Sequence, residues 1–373
     1  MLTNALRTIG AAPRGVKARV VGLYAFLIVV HILAWFLTIL ASAHYAWLLA
    51  PGMLAYTYGV RHAVDADHIA AIDNTTRKLM QDGQRPVAVG FFFSLGHSTV
   101  VTALFVLLAL STAYVEKHLP SVTATGAMIG TTVSCLFLLL IGLINLAVLL
   151  DIVKMWRNVS RGGAYDDQAL EAFLSNRGLI ARLLKPLLKL VAHSWSMYLV
   201  GVLFGLGFDT ASEILFLGIA ASTAAHHVPL GYLLLLPALF TAGMCLIDTT
   251  DGVLMLGAYG WAFIKPIRKL YYNLNITLIS VLIAFGIGSI EGLQVLSGQL
   301  NWTGPFWDFV NDNLDFETLG YVIIGIFVVS WGVSTAFYKL RGYDQLPEAS
   351  GGAGLTRAIG CLRRDRSQQD AVM

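Results

Sequence analysis

Apolar residues in this chain fall in long blocks rather than in alternation. Eight blocks, at about 20–43, 45–73, 87–115, 122–152, 196–221, 228–263, 271–296 and 318–339, are predominantly apolar. A helix rises about 1.5 Å per residue, so each block is long enough to cross roughly 30 Å of hydrocarbon. The pattern predicts an all-α, polytopic membrane protein of eight transmembrane helices, with residues 1–340 forming one transmembrane domain in contact with lipid. Residues 153–194 read as a cytoplasmic loop. Within it, Leu179 to Val191 interleaves apolar positions with Arg182, Lys185 and Lys189, which predicts an amphipathic helix on the inner leaflet. The Gly- and Arg-rich stretch 341–373 reads as a disordered cytoplasmic tail.

Composition agrees with the blocks. Only 13% of the 373 residues are charged, 57% are hydrophobic, and the mean hydropathy is +0.70. A soluble domain carries roughly 25% charged residues. The net charge of +3 is no basic face, which excludes nucleic-acid binding as a main role. Cys135, Cys245 and Cys361 lie far apart, so a disulfide scaffold and a cysteine-rich zinc site are excluded too. Lysine and arginine set the orientation: 23 of the 25 fall in alternate loops and the two ends, which places both termini in the cytoplasm. The exceptions are Lys117, in an opposite loop, and Arg61, inside a block.

Ionisable residues inside spans are costly and mark function by default. The second block holds Arg61, His62, Asp65, Asp67 and His68, and the third holds His97. The fifth holds Asp209 and Glu213, and the sixth Asp248 and Asp251. Six acids at about 2.5–3.5 kcal/mol each amount to roughly 15–20 kcal/mol, more than Arg61 alone offsets. A cation must answer some of them. Histidine among carboxylates points to a transition metal, because Na⁺, K⁺, Mg²⁺ and Ca²⁺ are held by oxygen. His62, Asp67, His68 and His97 make an N/O ligand set suited to nickel, cobalt, zinc, copper(II) or iron. Asp65 stands four residues from Arg61 and is expected to pair with it. Asp209 and Glu213 are candidates to relay the ion or orient a histidine. Asp248 and Asp251, beside Thr249, Thr250 and Gly252, are expected to brace a helix contact or, like Asp65 and Arg61, to relay the ion or stand behind its ligands. His31 reads as an interhelical hydrogen bond or a further group on the ion's path, His226–His227 as a solvated outer loop, and Glu291 as interfacial.

One geometric conflict stands out. At 100° per residue a regular helix cannot aim His62, Asp67 and His68 at one ion. Either the ligands divide between two sites or the helix breaks inside the motif, and Gly59 and the length of the block favour a break. Two acid-bearing helix pairs of opposite orientation, in the second and third blocks and in the fifth and sixth, suggest an inverted repeat of helices 1–4 against 5–8.

The motifs resemble those of the nickel/cobalt transporter (NiCoT) family. Arg61-His62-Ala63-Val64-Asp65-Ala66-Asp67-His68-Ile69 is similar to its His-x4-Asp-His signature, and Leu95-Gly96-His97-Ser98-Thr99 to its second motif. Leu206 through Glu213 and Gly243 through Gly252 resemble the third and fourth, in the family's order. The resemblance implies high-affinity import of Ni²⁺, and in some members Co²⁺, across a bacterial cytoplasmic (inner) membrane by one polypeptide, with no cofactor and no enzymatic step. The chain has no GxxxxGK[ST] and implies no ATPase subunit, so membrane potential or a proton gradient must drive transport. Inward movement gains about 2.3 kcal/mol per charge per 100 mV, roughly 4.6 kcal/mol for a divalent ion. The rival within transport is a Zn²⁺ or Mn²⁺ carrier. The rival from another class is an intramembrane metalloenzyme, which the absence of HExxH and of histidine boxes disfavours.

Overall fold

The computed structural model describes residues 10–110, 112–160, 191–206, 216, 219, 229–262, 266–314 and 316–340. These residues are helical throughout, with no strand among them. The long helices are α1 (Arg14–Ser42), α2 (Leu49–His62), α3 (Ala66–Gln81), α4 (Val89–Leu110), α5 (Thr112–Ser160), α6 (Met197–Phe204), α7 (Leu235–Ala262), α8 (Pro266–Leu300) and α9 (Phe316–Leu340). Five stretches are long and apolar enough to cross a membrane: Arg14–Ser42, Val89–Leu107, Thr131–Lys154, Leu230–Gly260 and Leu274–Leu300. This is a multi-pass membrane protein. The expected interfacial helix before Val191, the tail 341–373, Asp209, Glu213 and His226–His227 lie outside the described residues.

Helix α1 shows how apolar sequence becomes a membrane-facing helix. It starts just after Pro13, whose fixed φ suits a helix entrance. Its buried positions, Val16, Val20, Leu27, Ala34, Thr38 and Ala41, recur at three, four and seven residues and form one stripe. The rest of its surface is apolar and exposed: Phe26, Val29, Ile32, Phe36 and Ile39. In water such a face would drive aggregation; in a bilayer it is solvated.

The second block is two helices. After α2 the amides of Val64 and Asp65 bond three residues back, to the Arg61 and His62 carbonyls. Asp65 then turns extended, at φ −65° and ψ 146°, and α3 begins at Ala66. This helix runs on to Gln81, so Arg77 and Lys78, counted above among loop charges, sit inside it and are buried.

Small residues let the helices around the break approach backbone to backbone, as membrane helices do where no hydrophobic effect draws them together. A Cβ at Gly59 would strike the Phe240 carbonyl of α7, and one at Gly243 would meet the Tyr56 carbonyl of α2. Helix α4 is gripped in the same way, by α6 at Gly96 and Gly201 and by α7 at Gly90. From the far side, Gly320 of α9 sits directly on the Val64 carbonyl, inside the break.

Two apolar clusters fill the interior. One gathers Ala66, Ile69, Ile72, Phe93, Val253, Tyr259 and their neighbours. The other gathers Ala55, Ala63, Val101, Phe105, Phe240 and Met244. The residues that separate them along α2–α3, α4 and α7 are His62, Asp65, His68, Ser94, His97, Ser98 and Asp248, all buried.

Candidate metal centre

The break lets three imidazoles meet. His62 ends α2, His68 lies in the first turn of α3, and His97 sits midway along α4. Their exposures are 2%, 0% and 3%. The ring centroids of His62 and His68 are 4.7 Å apart, those of His62 and His97 4.7 Å, and those of His68 and His97 5.0 Å. One ligand atom from each can be chosen so that all lie within 4.8 Å of one another. His62 Nε2 and His97 Nε2 approach to 2.9 Å.

Carboxylates stand behind two of the rings. His62 Nδ1 is 3.0 Å from Asp65 Oδ2. His68 Nδ1 is 3.3 Å from Asp248 Oδ2, and the Ser94 hydroxyl donates to that same oxygen at 2.5 Å. A carboxylate on Nδ1 keeps the proton there and leaves Nε2 as the lone-pair nitrogen, the arrangement usual behind metal-ligating histidines. His68 Nε2 is buried and makes no hydrogen bond among the described residues. A buried ring nitrogen without a partner is expensive unless an ion or a water takes it. Phe93, at 4.7 Å from the His68 ring, and Phe240, at 6.0 Å from His62, wall the cluster with aromatic surface.

The structure does not gather every residue expected at the site. His62, His68 and His97 come together. Asp67, expected beside them as a ligand, is part-buried, and its Oδ1 accepts the backbone N–H of His68 at 2.9 Å. Arg61 is exposed, and Asp65 is fully buried with its Oδ2 against His62. Asp248, expected either to brace a helix contact or to stand behind a ligand, faces His68. His31 bonds the Leu27 carbonyl through Nδ1 at 2.7 Å and meets Tyr56 edge-on, between α1 and α2.

Sequence reasoning missed other buried polar groups. Glu291, expected at the interface, is 1% exposed and accepts a hydrogen bond from Ser134 at 2.6 Å. Asp73, Asn74 and Arg77 are fully buried in α3; Tyr259 donates to Asp73, and Asn145 donates to Asn74 at 2.6 Å. Residues 74–81 lie past the apolar block and were counted with the loop, yet they continue α3. A helix this polar is not solvated by lipid, and protein encloses it.

Residues 46–337 match the model of a family described as high-affinity nickel-transport protein. A high-affinity nickel transport protein of Cupriavidus necator is 48% identical over 329 residues, covering 88% of this chain and 94% of its own length. The high-affinity nickel-transport protein NixA of Helicobacter pylori strain 26695 is 44% identical over 325 residues, covering 85% and 96%. The cobalt transport protein NhlF of Rhodococcus rhodochrous is 38% identical over 340 residues, covering 89% and 96%. No solved structure matches.

Proposed function

The chain belongs to the high-affinity nickel-transport protein family, and from that premise we propose that it imports Ni²⁺ through a site built on His62, His68 and His97. It is a transporter, not an enzyme, and Ni²⁺ is its cargo rather than a cofactor. The observation that carries the site is the convergence of three buried imidazoles, two of them oriented by carboxylates. Asp67 completes the set from the first turn of α3. Asp65 and Asp248 hold the ring tautomers and supply negative charge behind the ligands.

Buried imidazoles backed by carboxylates suit a late divalent transition metal, nickel among them. Cobalt is the second cargo, favoured by the match to a cobalt transport protein along most of both chains.

Around this site the chain forms eight spans in a bacterial inner membrane, with both termini cytoplasmic and helices 1–4 related to 5–8 as an inverted repeat. Residues 1–340 make up the transport domain, and 341–373 the tail. Membrane potential or a proton gradient supplies the driving force, with Asp209 and Glu213 serving the ion's path. Radioactive nickel uptake tests the reading: cells expressing the chain take up Ni²⁺ saturably in excess Mg²⁺, Co²⁺ competes, and His62→Ala abolishes uptake with the protein still in the membrane. Uptake at the wild-type rate by well-expressed His62→Ala overturns the site.

A further inference from the structure

Below the histidines, α3 carries a second group of ionisable side chains that the site does not use. Asp73 lies five residues past His68, about 7.5 Å further along the helix, and Arg77 follows one turn later on the same face. Both have 0% exposure. On α7, Asp251 follows Asp248 by three residues, and Tyr259 lies three turns beyond Asp248 on the same side of that helix. The Tyr259 hydroxyl donates to Asp73 Oδ1. A Cβ on Gly252, the residue after Asp251, would lie 3.5 Å from the side chain of Ile72, the residue before Asp73, so the two acids flank one contact between α7 and α3. The charge of Asp251 also acts on Asp248, and that of Asp73 on Asp251. A chain of carboxylates thus leads from the oxygen behind His68, by way of Asp251, to Asp73.

Three oxygens in this chain, Asp248 Oδ1, Asp251 Oδ2 and Asp73 Oδ2, are buried and have no hydrogen-bond partner among the described residues. The counter-charge is unusual as well. The Arg77 guanidinium is near enough to Asp73 for their charges to interact, yet none of its nitrogens makes a hydrogen bond among the described residues. A buried arginine kept for structure is forked onto its carboxylate, because anything less leaves the desolvation of both ions uncompensated. Here the cation neutralises the acid by proximity and is not locked to it. Lys78, the other buried cation of α3, is already held by Asp82 at 3.2 Å and by the Val191 carbonyl.

We propose that Asp73 and Asp251 form a second, weaker divalent-cation station on the way out of the histidine cluster, and that Arg77 is the tethered cation that stands in for the metal when none is there. The proposal rests on the histidine cluster being the entry site. An ion leaving three imidazoles for carboxylate oxygens moves from strong to weak ligands for a late transition metal, as a site that must let go requires. Its arrival displaces Arg77 from Asp73; its departure lets Arg77 return, so Asp73 always has a cation beside it.

The test is Ni²⁺ binding by the purified full-length chain, measured by equilibrium dialysis with radioactive nickel at saturating metal. Removing the tethered cation in Arg77→Gln is expected to add one bound Ni²⁺ per chain, and Arg77→Gln/Asp73→Asn to lose that gain. The gain is also expected in a His62→Ala background, so the second station is read independently of the first. If His62→Ala removes no binding, the entry site fails; if Arg77→Gln adds none, or the gain survives Asp73→Asn, the station fails. A single variant covers the case in which Arg77→Gln does not fold. In proteoliposomes Asp73→Asn is expected to bind Ni²⁺ as the wild type does at the histidines while uptake falls about tenfold or more. Equal loss of binding and uptake, or wild-type uptake, overturns the proposal.

Discussion

Replacing Asp248 by asparagine tests how much of the metal affinity resides behind the ligands. The substitution preserves shape. An amide oxygen in the place of Oδ2 still accepts from Ser94 and from His68 Nδ1, so the ring keeps its position and tautomer. What disappears is one negative charge. Adding the 3.3 Å from Oδ2 to Nδ1, the width of the ring and a metal–nitrogen bond of about 2.0–2.1 Å puts that charge roughly 7–7.5 Å from a bound ion. At an effective dielectric near 20, its attraction for a divalent cation is about 4.5 kcal/mol as an upper bound. The realised loss is smaller. In the metal-free protein the same carboxylate already holds the polarised His68 N–H and the Ser94 hydroxyl, and these interactions weaken together with the metal's. Removing such partners elsewhere reduces metal affinity 10–100-fold, about 1.4–2.7 kcal/mol. Titration calorimetry of purified Asp248→Asn with Ni²⁺ is therefore expected to show a Kd raised about 10–100-fold with unchanged stoichiometry at the histidines. Ser94→Ala, which leaves the charge in place, is expected to weaken binding less. An unchanged Kd in a folded Asp248→Asn protein would refute the reasoning, as would a larger effect from Ser94→Ala.

Two further predictions concern the scaffold. A Cβ at Gly59 would lie 2.8 Å from the Phe240 carbonyl carbon and 2.9 Å from its Cα, so Gly59→Ala must push α2 away from α7 and carry His62 from His97. Nickel uptake is expected to collapse in Gly59→Ala at normal membrane levels and to persist in Gly286→Ala on α8, where a Cβ meets nothing within 4 Å. Asn145→Leu strands the buried Asn74 amide oxygen, which loses its 2.6 Å donor, a loss of about 1–3 kcal/mol. It is expected to lower the thermal unfolding midpoint of the detergent-purified protein with Ni²⁺ affinity unchanged, and an unaltered midpoint counts against the pair as a structural element.

Much of this was legible along the chain, and the limits have a physical cause. Hydrophobic block length predicts membrane helices because bilayer thickness is fixed, so α1, α4, α7 and α8 fall within a few residues of the blocks at 20–43, 87–115, 228–263 and 271–296. The angular conflict between His62 and His68 demanded two sites or a break, and the chain breaks at Ala63–Asp65. Residue type and helical angle are local properties, readable from one segment. Partners across helices are not. Nothing within α7 shows that Asp248 meets His68 rather than a neighbouring helix, or that Tyr259 reaches Asp73, because both depend on how far α7 slides along α3. Asp65 illustrates the same limit: helical spacing pointed only to Arg61, four residues back, and its approach to His62 Nδ1 depends on the break.

The break has a consequence for energetics. His62 belongs to one rigid rod and His68 to another, joined by three non-helical residues that Gly320 of α9 touches from behind. An ion held by both rings is therefore a staple across a joint. Thermodynamic reciprocity then applies: whatever factor the closed joint adds to metal affinity, the bound metal returns as preference for the closed joint. Loading stiffens the elbow, and bending the elbow loosens the load. Gly320 of α9 packs on the Val64 carbonyl in the bend, so at the proposed site a shift of α9 would change the grip on the ion through the joint.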